Sequence, residues 1–387
     1  MKYYSLSLLL GLLLFVTSCG GDSTVSSEPE NKGDGFDRTA MLTHWVDDFV
    51  IPYNQKFSDA ATALEEKTKA FNANPNEANL NAARTALHEA YKAYQYIGFY
   101  RFGKADASDM NYQYRLNTYP TNTDKIKSNA VEKNYQFRLL SQINQGSIAQ
   151  GLPAVDYLLN GFGDNDQAIL EKYTTNTNAQ HYKDYLYEVT KEMVVSSKEM
   201  LADLKANRQS FINNTGNNAS GSVSLVANAY VQYYEKYLRA GKIGYPAGIL
   251  TPMFLEDNDQ PKPHLVESQF SPQHNREYAL LGTKAMHEFF QGIGADGKTG
   301  KSFQQYIEYM ATKNSNHKTL AQDINNQFTQ AETAIQALNP NFQVQITQDL
   351  NKLKNAYYNL QKNVPHLKVD MAQSLNITIS YADTDGD

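Results

Sequence analysis

The chain has 387 residues, a formal charge of −6 and a single cysteine. That length exceeds the usual size of one core, so two domains are expected. A net negative charge without a Lys/Arg-rich stripe argues against nucleic-acid binding, which depends on phosphate neutralisation, and one cysteine leaves no intramolecular disulfide.

In chain order, Met1-Lys2 and the apolar run Ser5–Val16 form the basic head and core of a signal peptide. The run is too short for a membrane span, which needs about 20 apolar residues. Val16-Thr17-Ser18-Cys19 ends it with small residues before the cysteine, the lipobox pattern. Residues 1–18 are therefore read as a lipoprotein signal peptide and Cys19 as the acylated start of the mature chain. The expected location is a bacterial cell envelope, with the outer membrane favoured and the anchor a lipid. Residues 19–37 carry Gly, Ser, Glu and Asp with little to bury, and read as a flexible tether.

Beyond the tether the pattern is helical almost throughout. Phe57, Ala60, Leu64 and Phe71 keep helical spacing, as do Leu80, Ala83, Leu87, Tyr91 and Tyr94. Met193, Ser197, Met200 and Leu204 continue it. Ile324, Phe328, Ala331, Ile335 and Leu338 alternate steps of four and three, and so do Leu350, Leu353, Tyr357, Leu360 and Val364. Asn339-Pro340 between these two runs marks the turn of an antiparallel hairpin, Thr319–Val364. Only Leu375, Ile377, Ile379 and Tyr381 alternate as a strand does. The fold class is all-α.

Two stretches recur in the same order. Arg101-Phe102-Gly103-Lys104 is answered by Arg239-Ala240-Gly241-Lys242, and Gly151, Ala154, Gly161 and Gly163 by Gly282, Ala285, Gly292 and Gly294. This predicts an internal duplication, with a first helical bundle over 38–175 and a second over 176–387 that includes the closing hairpin. The Asn/Gly-rich loop Asn213–Ser222 is the boundary that composition alone would choose. Within the repeat Asp156 aligns with His287, and a cleft is expected where the two bundles meet.

The stretch Gln145–Gly163 contains Gly151-Leu152-Pro153-Ala154-Val155-Asp156 ahead of an apolar helical run. Here, and at Arg239–Pro246 and the Asp383–Asp387 ending, the chain resembles the imelysin family (imelysin-like, peptidase M75). The family signature is Gly-x-His-x-x-Glu before an apolar helix. Gly151 matches its glycine, Pro153 replaces its histidine and Asp156 stands at its glutamate. The resemblance implies an all-α, two-bundle fold and a link to iron regulation. It also implies a metallopeptidase activity attributed to some members, which Pro153 argues against because proline offers neither a ligand nor a proton.

The candidate binding residues are Gly151, Pro153, Asp156, Arg101, Arg239, Lys242, Tyr245 and His287. Asp156 is a first-turn acid that the helix dipole favours, and also a carboxylate able to hold a cation or take hydrogen bonds from Arg101, Arg239 or Lys242. Gly241, Gly244, Tyr245 and Pro246 make a sharp loop after Arg239. No histidine falls in a zincin pattern, although His44 with Asp47 or Asp48 has single-turn ligand spacing. Tyr230, Tyr234 and Tyr237 share a helix face, which reads first as core packing and second as a ferric or haem site. No catalytic residue is assigned, and the cofactor stays open, with iron or another metal the candidate. The expected function is a non-catalytic envelope lipoprotein for uptake of iron or another nutrient. The alternatives are a metal-dependent peptidase and a surface protein-interaction module.

Overall fold

The computed structural model describes residues 34–100, 112–133, 135, 137, 149–252, 255, 260–314 and 317–380. The expected signal peptide with Cys19, Arg101, the start of the 145–163 stretch and the Asp383–Asp387 ending lie outside the described residues. The described residues fold into helices joined by loops, with no strand among them, in agreement with the all-α expectation. None of these helices is long and apolar enough to cross a membrane.

The chain enters through α1 (Arg38–His44), capped by Asp37, and continues through a π-helical turn, Trp45–Val50, into α2 (Ile51–Ala73). Pro52 has no N–H to give the Asp48 carbonyl one turn back, and that carbonyl accepts from Ala295 N at 2.7 Å instead. A proline at this position thus ties the first long helix to a distant loop. The next helix, α3 (Glu77–Tyr94), is capped by Asn76 and folds back along α2. Four short helices follow, α4 (Tyr112–Asn117), α5 (Thr123–Glu132), α6 (Gly151–Asp156) and α7 (Asp166–Tyr173). All four rest on α8 (Ala179–Ala206).

The predicted stripes lie where burial requires. Phe57, Leu64 and Phe71 are sealed in the core with Leu80, Ala83, Leu87, Tyr91 and Tyr94 of α3 and Met193, Met200 and Leu204 of α8. The helix α8 begins just after the expected boundary at 175/176, yet it packs along α2. Asn72 Nδ2 donates to Lys183 O at 2.8 Å, and the hydroxyls of Thr68 and Thr190 meet at 3.2 Å.

After α8 the short α9 (Arg208–Asn213) leads into the Asn/Gly-rich loop. Past that loop a second group of helices begins with α10 (Ser222–Gln232), which runs on as a twelve-residue π segment, Tyr233–Gly244. Around this segment lie α11 (Asn275–Gln291), α12 (Phe303–Lys313), α13 (Leu320–Gln336), α14 (Phe342–Gln348), α15 (Leu350–Gln361) and α16 (Met371–Leu375). The predicted hairpin is formed by α13 and α15, with α14 filling its turn. Trp45 and Phe49 pack on Phe289 with ring centroids 5.0 and 5.1 Å apart, and Phe99 meets Tyr230 edge-on at 5.9 Å. Aromatic rings therefore fill the join between the helices before the Asn/Gly-rich loop and those after it.

The strand-like end behaves differently from its alternation. Leu375 closes α16, Asn376 turns the chain in a left-handed conformation, and residues 377–380 pair with no strand. The Asn228 amide takes that role, donating to Thr378 O at 2.9 Å and accepting from Ser380 N at 2.7 Å.

The glycines aligned by the repeat have unlike environments. Gly151 opens α6 at φ +71°, and a Cβ there would lie 2.4 Å from Leu116 O. Gly282 is interior to α11, and its Cβ would make ordinary contact at 3.4 Å with Lys242 Cε. Gly151→Ala should lower stability by about 2–4 kcal/mol through strain and a backbone clash. Gly282→Ala should be neutral or stabilising by up to about 1 kcal/mol, since alanine is the better helix former. Urea melts of the two variants test the contrast, and equal losses would restore the equivalence of the two positions.

Candidate functional site

Asp156 ends α6, where the chain passes into a second π turn, Tyr157–Gly161. Pro153 occupies the third helical position, whose N–H would have no partner within the helix, so proline costs the helix nothing there. Both side chains are buried. Asn160 Nδ2 donates to Asp156 Oδ1 at 3.0 Å from one turn ahead. Two further donors come from the loop before α11: Ser271 Oγ reaches Oδ1 at 2.6 Å and Phe270 N reaches Oδ2 at 2.9 Å. The Phe270 ring lies over Gly161, where a Cβ would sit only 2.1 Å from it. Burial pushes the Asp156 carboxyl up to about 6, although the bonds from Ser271, Phe270 and Asn160 pull the other way.

The same loop carries a second buried carboxylate, Glu267, which is 3% exposed. It forms an ion pair with Lys242, itself 4% exposed and projecting from the long π segment. Gln95 Nε2 and Asn117 Nδ2 donate to Glu267 Oε1 at 3.1 and 2.6 Å. Burial drives the Lys242 ammonium below the usual lysine range, with Glu267 opposing the shift. The phenols of Tyr91, Tyr233 and Tyr278 are pushed upward, first by burial and then by the charge of nearby carboxylates. The Tyr91 hydroxyl, Gln95 Oε1 and Asn117 Oδ1 are buried and have no hydrogen-bond partner among the described residues. Donors and acceptors drawn from α3, α4, the π segment and the loop thus converge on one buried, charged centre.

The structure joins some predicted residues and separates others. Gly151, Pro153 and Asp156 form one unit, and Lys242 meets that unit through the Glu267 loop. Arg239 is buried but faces α15, donating to Tyr357 Oη at 2.6 Å and to Gln361, with its guanidinium over the Tyr357 ring. Tyr245 follows the π segment, half-buried, with its N–H on Ala240 O. His287 sits between α11 and α13, its ring nitrogens 2.8 Å from Glu332 Oε1 and 3.0 Å from Asn325 Oδ1, stacked on Phe328. That bonding directs His287 to α13 rather than to Asp156, its partner in the proposed repeat.

His44 spends one ring nitrogen on Asp48 and the other on Gly292 O, both at 2.7 Å, while Asp47 pairs with Arg208. Tyr230 and Tyr234 give their hydroxyls to Met286 O and Leu360 O at 2.7 and 2.9 Å, which leaves them as core residues. Glu267, Gln95, Asn117 and Ser271 went unrecognised in the sequence. The available signal was a lone glutamate in a proline-punctuated loop, Pro263–His274, that holds no other carboxylate.

The imelysin (peptidase M75) profile matches residues 51–365, and the chain belongs to that family. No curated protein matches it. Among solved structures, an imelysin-like protein from Psychrobacter arcticum 273-4 shares 16% identity at a TM-score of 0.64, over 89% of this chain and 97% of that one. A "putative iron-regulated protein A precursor" from Parabacteroides distasonis ATCC 8503 shares 15% identity at a TM-score of 0.66, over 87% and 94%. At these identities the likeness establishes the fold.

Asp156 has a testable pH signature. Its carboxyl moves from 3.8 to about 6 on folding, so its contribution is fully present below pH 3.8 and is lost as pH rises through 6. Asp156→Asn keeps the shape without the charge. It should match or exceed the wild type in thermal stability near pH 7.5, by roughly 3 kcal/mol at most, and lose that advantage near pH 4. An Asn variant less stable at both values would mean that the ionised carboxylate is what the loop requires.

Proposed function

We propose that this chain is a non-catalytic binding protein of the imelysin type, held at a bacterial cell envelope through lipid on Cys19 and serving uptake of iron or another nutrient. One observation carries the non-catalytic part: the carboxylate that remains of the family motif is buried and already accepts three hydrogen bonds. A hydrolytic metal centre built on that motif would need about three protein ligands there and an open water position. Pro153 supplies no ligand, and Asp156 offers no free lone pair toward solvent. The uptake part draws support from family membership, from the lipobox at Cys19 and from the iron-regulated name carried by the Parabacteroides neighbour. Within this reading the ligand is held near the junction of α3, the π segment and α11, where unpartnered polar atoms gather around Glu267.

Purified protein, assayed on denatured casein and a peptide library with and without a chelator, should release no peptides above background. Metal-dependent cleavage that Asp156→Ala abolishes would restore the peptidase reading. In cells the wild-type chain should fractionate with membranes and Cys19→Ala should leave them; an unchanged distribution would remove the lipid anchor.

A further inference from the structure

The two helix groups also meet at the outer edge of the α3–α11 contact, where side chains capable of metal ligation gather from three elements. His88 stands on α3, His274 ends the single 3-10 turn Pro272–His274, and Glu277 lies in the first turn of α11. His88 Nε2 is 3.4 Å from Glu277 Oε2, His274 Nδ1 is 3.9 Å from the same oxygen, and all three ligand atoms lie within 4.8 Å of one another. The geometry points to a binding site for a divalent first-row transition metal, held by His88 Nε2, His274 Nδ1 and Glu277 Oε2. It stands apart from the uptake reading and, where that reading holds, gives the protein a metal to carry.

The distances suit the chemistry. Metal–nitrogen and metal–oxygen bonds of about 2.0–2.2 Å at a tetrahedral angle place neighbouring donors about 3.4 Å apart. Of the three edges, His88–Glu277 already has that length and His274–Glu277 must close by about half an ångström, while the third, between the two imidazoles, is within 4.8 Å and must close as the rings turn. Two imidazoles and one carboxylate suit zinc or ferrous iron rather than calcium or magnesium, which prefer oxygen. Three protein ligands leave a position open to water or to a cargo group.

The surroundings orient the donors. His88 Nδ1 lies 2.8 Å from the buried Tyr278 hydroxyl. With the proton on Nδ1, that bond fixes the ring and turns the Nε2 lone pair toward Glu277, the support that ligating histidines ordinarily have. The side chains of His88, His274 and Glu277 are 21%, 28% and 43% exposed, so an ion can enter and the rings can turn. Turning is required: the two imidazoles are stacked at 3.9 Å and 28°, and their lone pairs converge only when the rings tilt apart. Lys92, whose charge acts on both imidazoles, is paired with Glu89 at 3.0 Å one turn along α3.

Such an ion would fasten the end of the loop that carries Glu267 and Ser271 onto α3. Cobalt(II) added to the purified chain reports this directly, because its visible absorption depends on ligand set and geometry. One equivalent should bind with visible bands and raise the melting temperature as added metal increases. His274→Ala and Glu277→Gln should each weaken binding about ten- to a hundredfold or more, and Tyr278→Phe by about ten- to a hundredfold while every ligand remains. His287→Ala should bind as the wild type does. A wild type that takes up no cobalt at millimolar concentration overturns the site, as does undiminished binding in both ligand variants. Either outcome leaves the peptidase and fractionation results, and the non-catalytic and lipid-anchored readings they test, as they stand.

Discussion

A carboxylate sealed from water must be given donors, and this protein satisfies two of them with one loop. At Asp156 the loop Pro263–His274 is the giver, presenting Phe270 N and Ser271 Oγ to an acid of α6. At Glu267 the same loop is the receiver, offering a carboxylate to Lys242, Gln95 and Asn117. Removing one partner from such a buried arrangement costs about 3–5 kcal/mol, whereas the intact arrangement adds little net stability. What the two acids supply is position. Between them they set where the loop runs, hence where α11 begins, and so how the helices after the Asn/Gly-rich loop lie against α3.

The tyrosines complete the same accounting on the backbone side. Carbonyls near helix ends and π turns lack the partners that a regular helix would give them. Tyr185 donates to Ala149 O just before α6, Tyr173 to Leu158 O within the π turn, and Tyr234 to Leu360 O in the last turn of α15. Each ring fills core volume while its hydroxyl donates to a backbone oxygen near a helix end or π turn; Leu360 O also accepts from Asn363 N at 3.1 Å. Not every one of the 27 tyrosines does so, for the Tyr91 and Tyr100 hydroxyls are buried without a partner among the described residues.

Helix stripes were legible because periodicity is a local property. The runs Ile324–Leu338 and Leu353–Val364 are buried wherever their spacing asks. Partner choice was not legible. Nothing near Arg239 reveals that it will face Tyr357, or that Lys242 one turn later will face Glu267; that depends on which helices become neighbours. The repeat read from glycines and aromatic helix ends made Gly151 and Gly282 equivalent, but positive φ marks only the first. Alternation at the terminus suggested a strand, yet a strand needs a neighbour, and a single asparagine side chain stands in for one. His274 and Glu277 share the single-turn spacing seen at His44 and Asp47, but no spacing rule joins His88 to them, since only the meeting of α3 with α11 brings it there.

Pro153 becomes intelligible once the loop is in view. A histidine and a glutamate one turn apart present two ligand groups on one helix face. Here the first is replaced by a ring without donor or acceptor, and the second is the shorter acid, engaged by Ser271 and Phe270. Burial that lifts the Asp156 carboxyl toward 6 would oppose a role in holding a cation, because a metal requires the ionised form. The same burial suits an acid that receives hydrogen bonds from a loop. Gly151 turns the chain against Leu116 at the start of the apolar helix, and the Asp156 carboxylate fastens the loop through Ser271 and Phe270. Among the described residues, two imidazoles remain partly exposed beside a carboxylate at the edge of the α3–α11 contact, where the ionised form that a metal requires is not opposed by full burial.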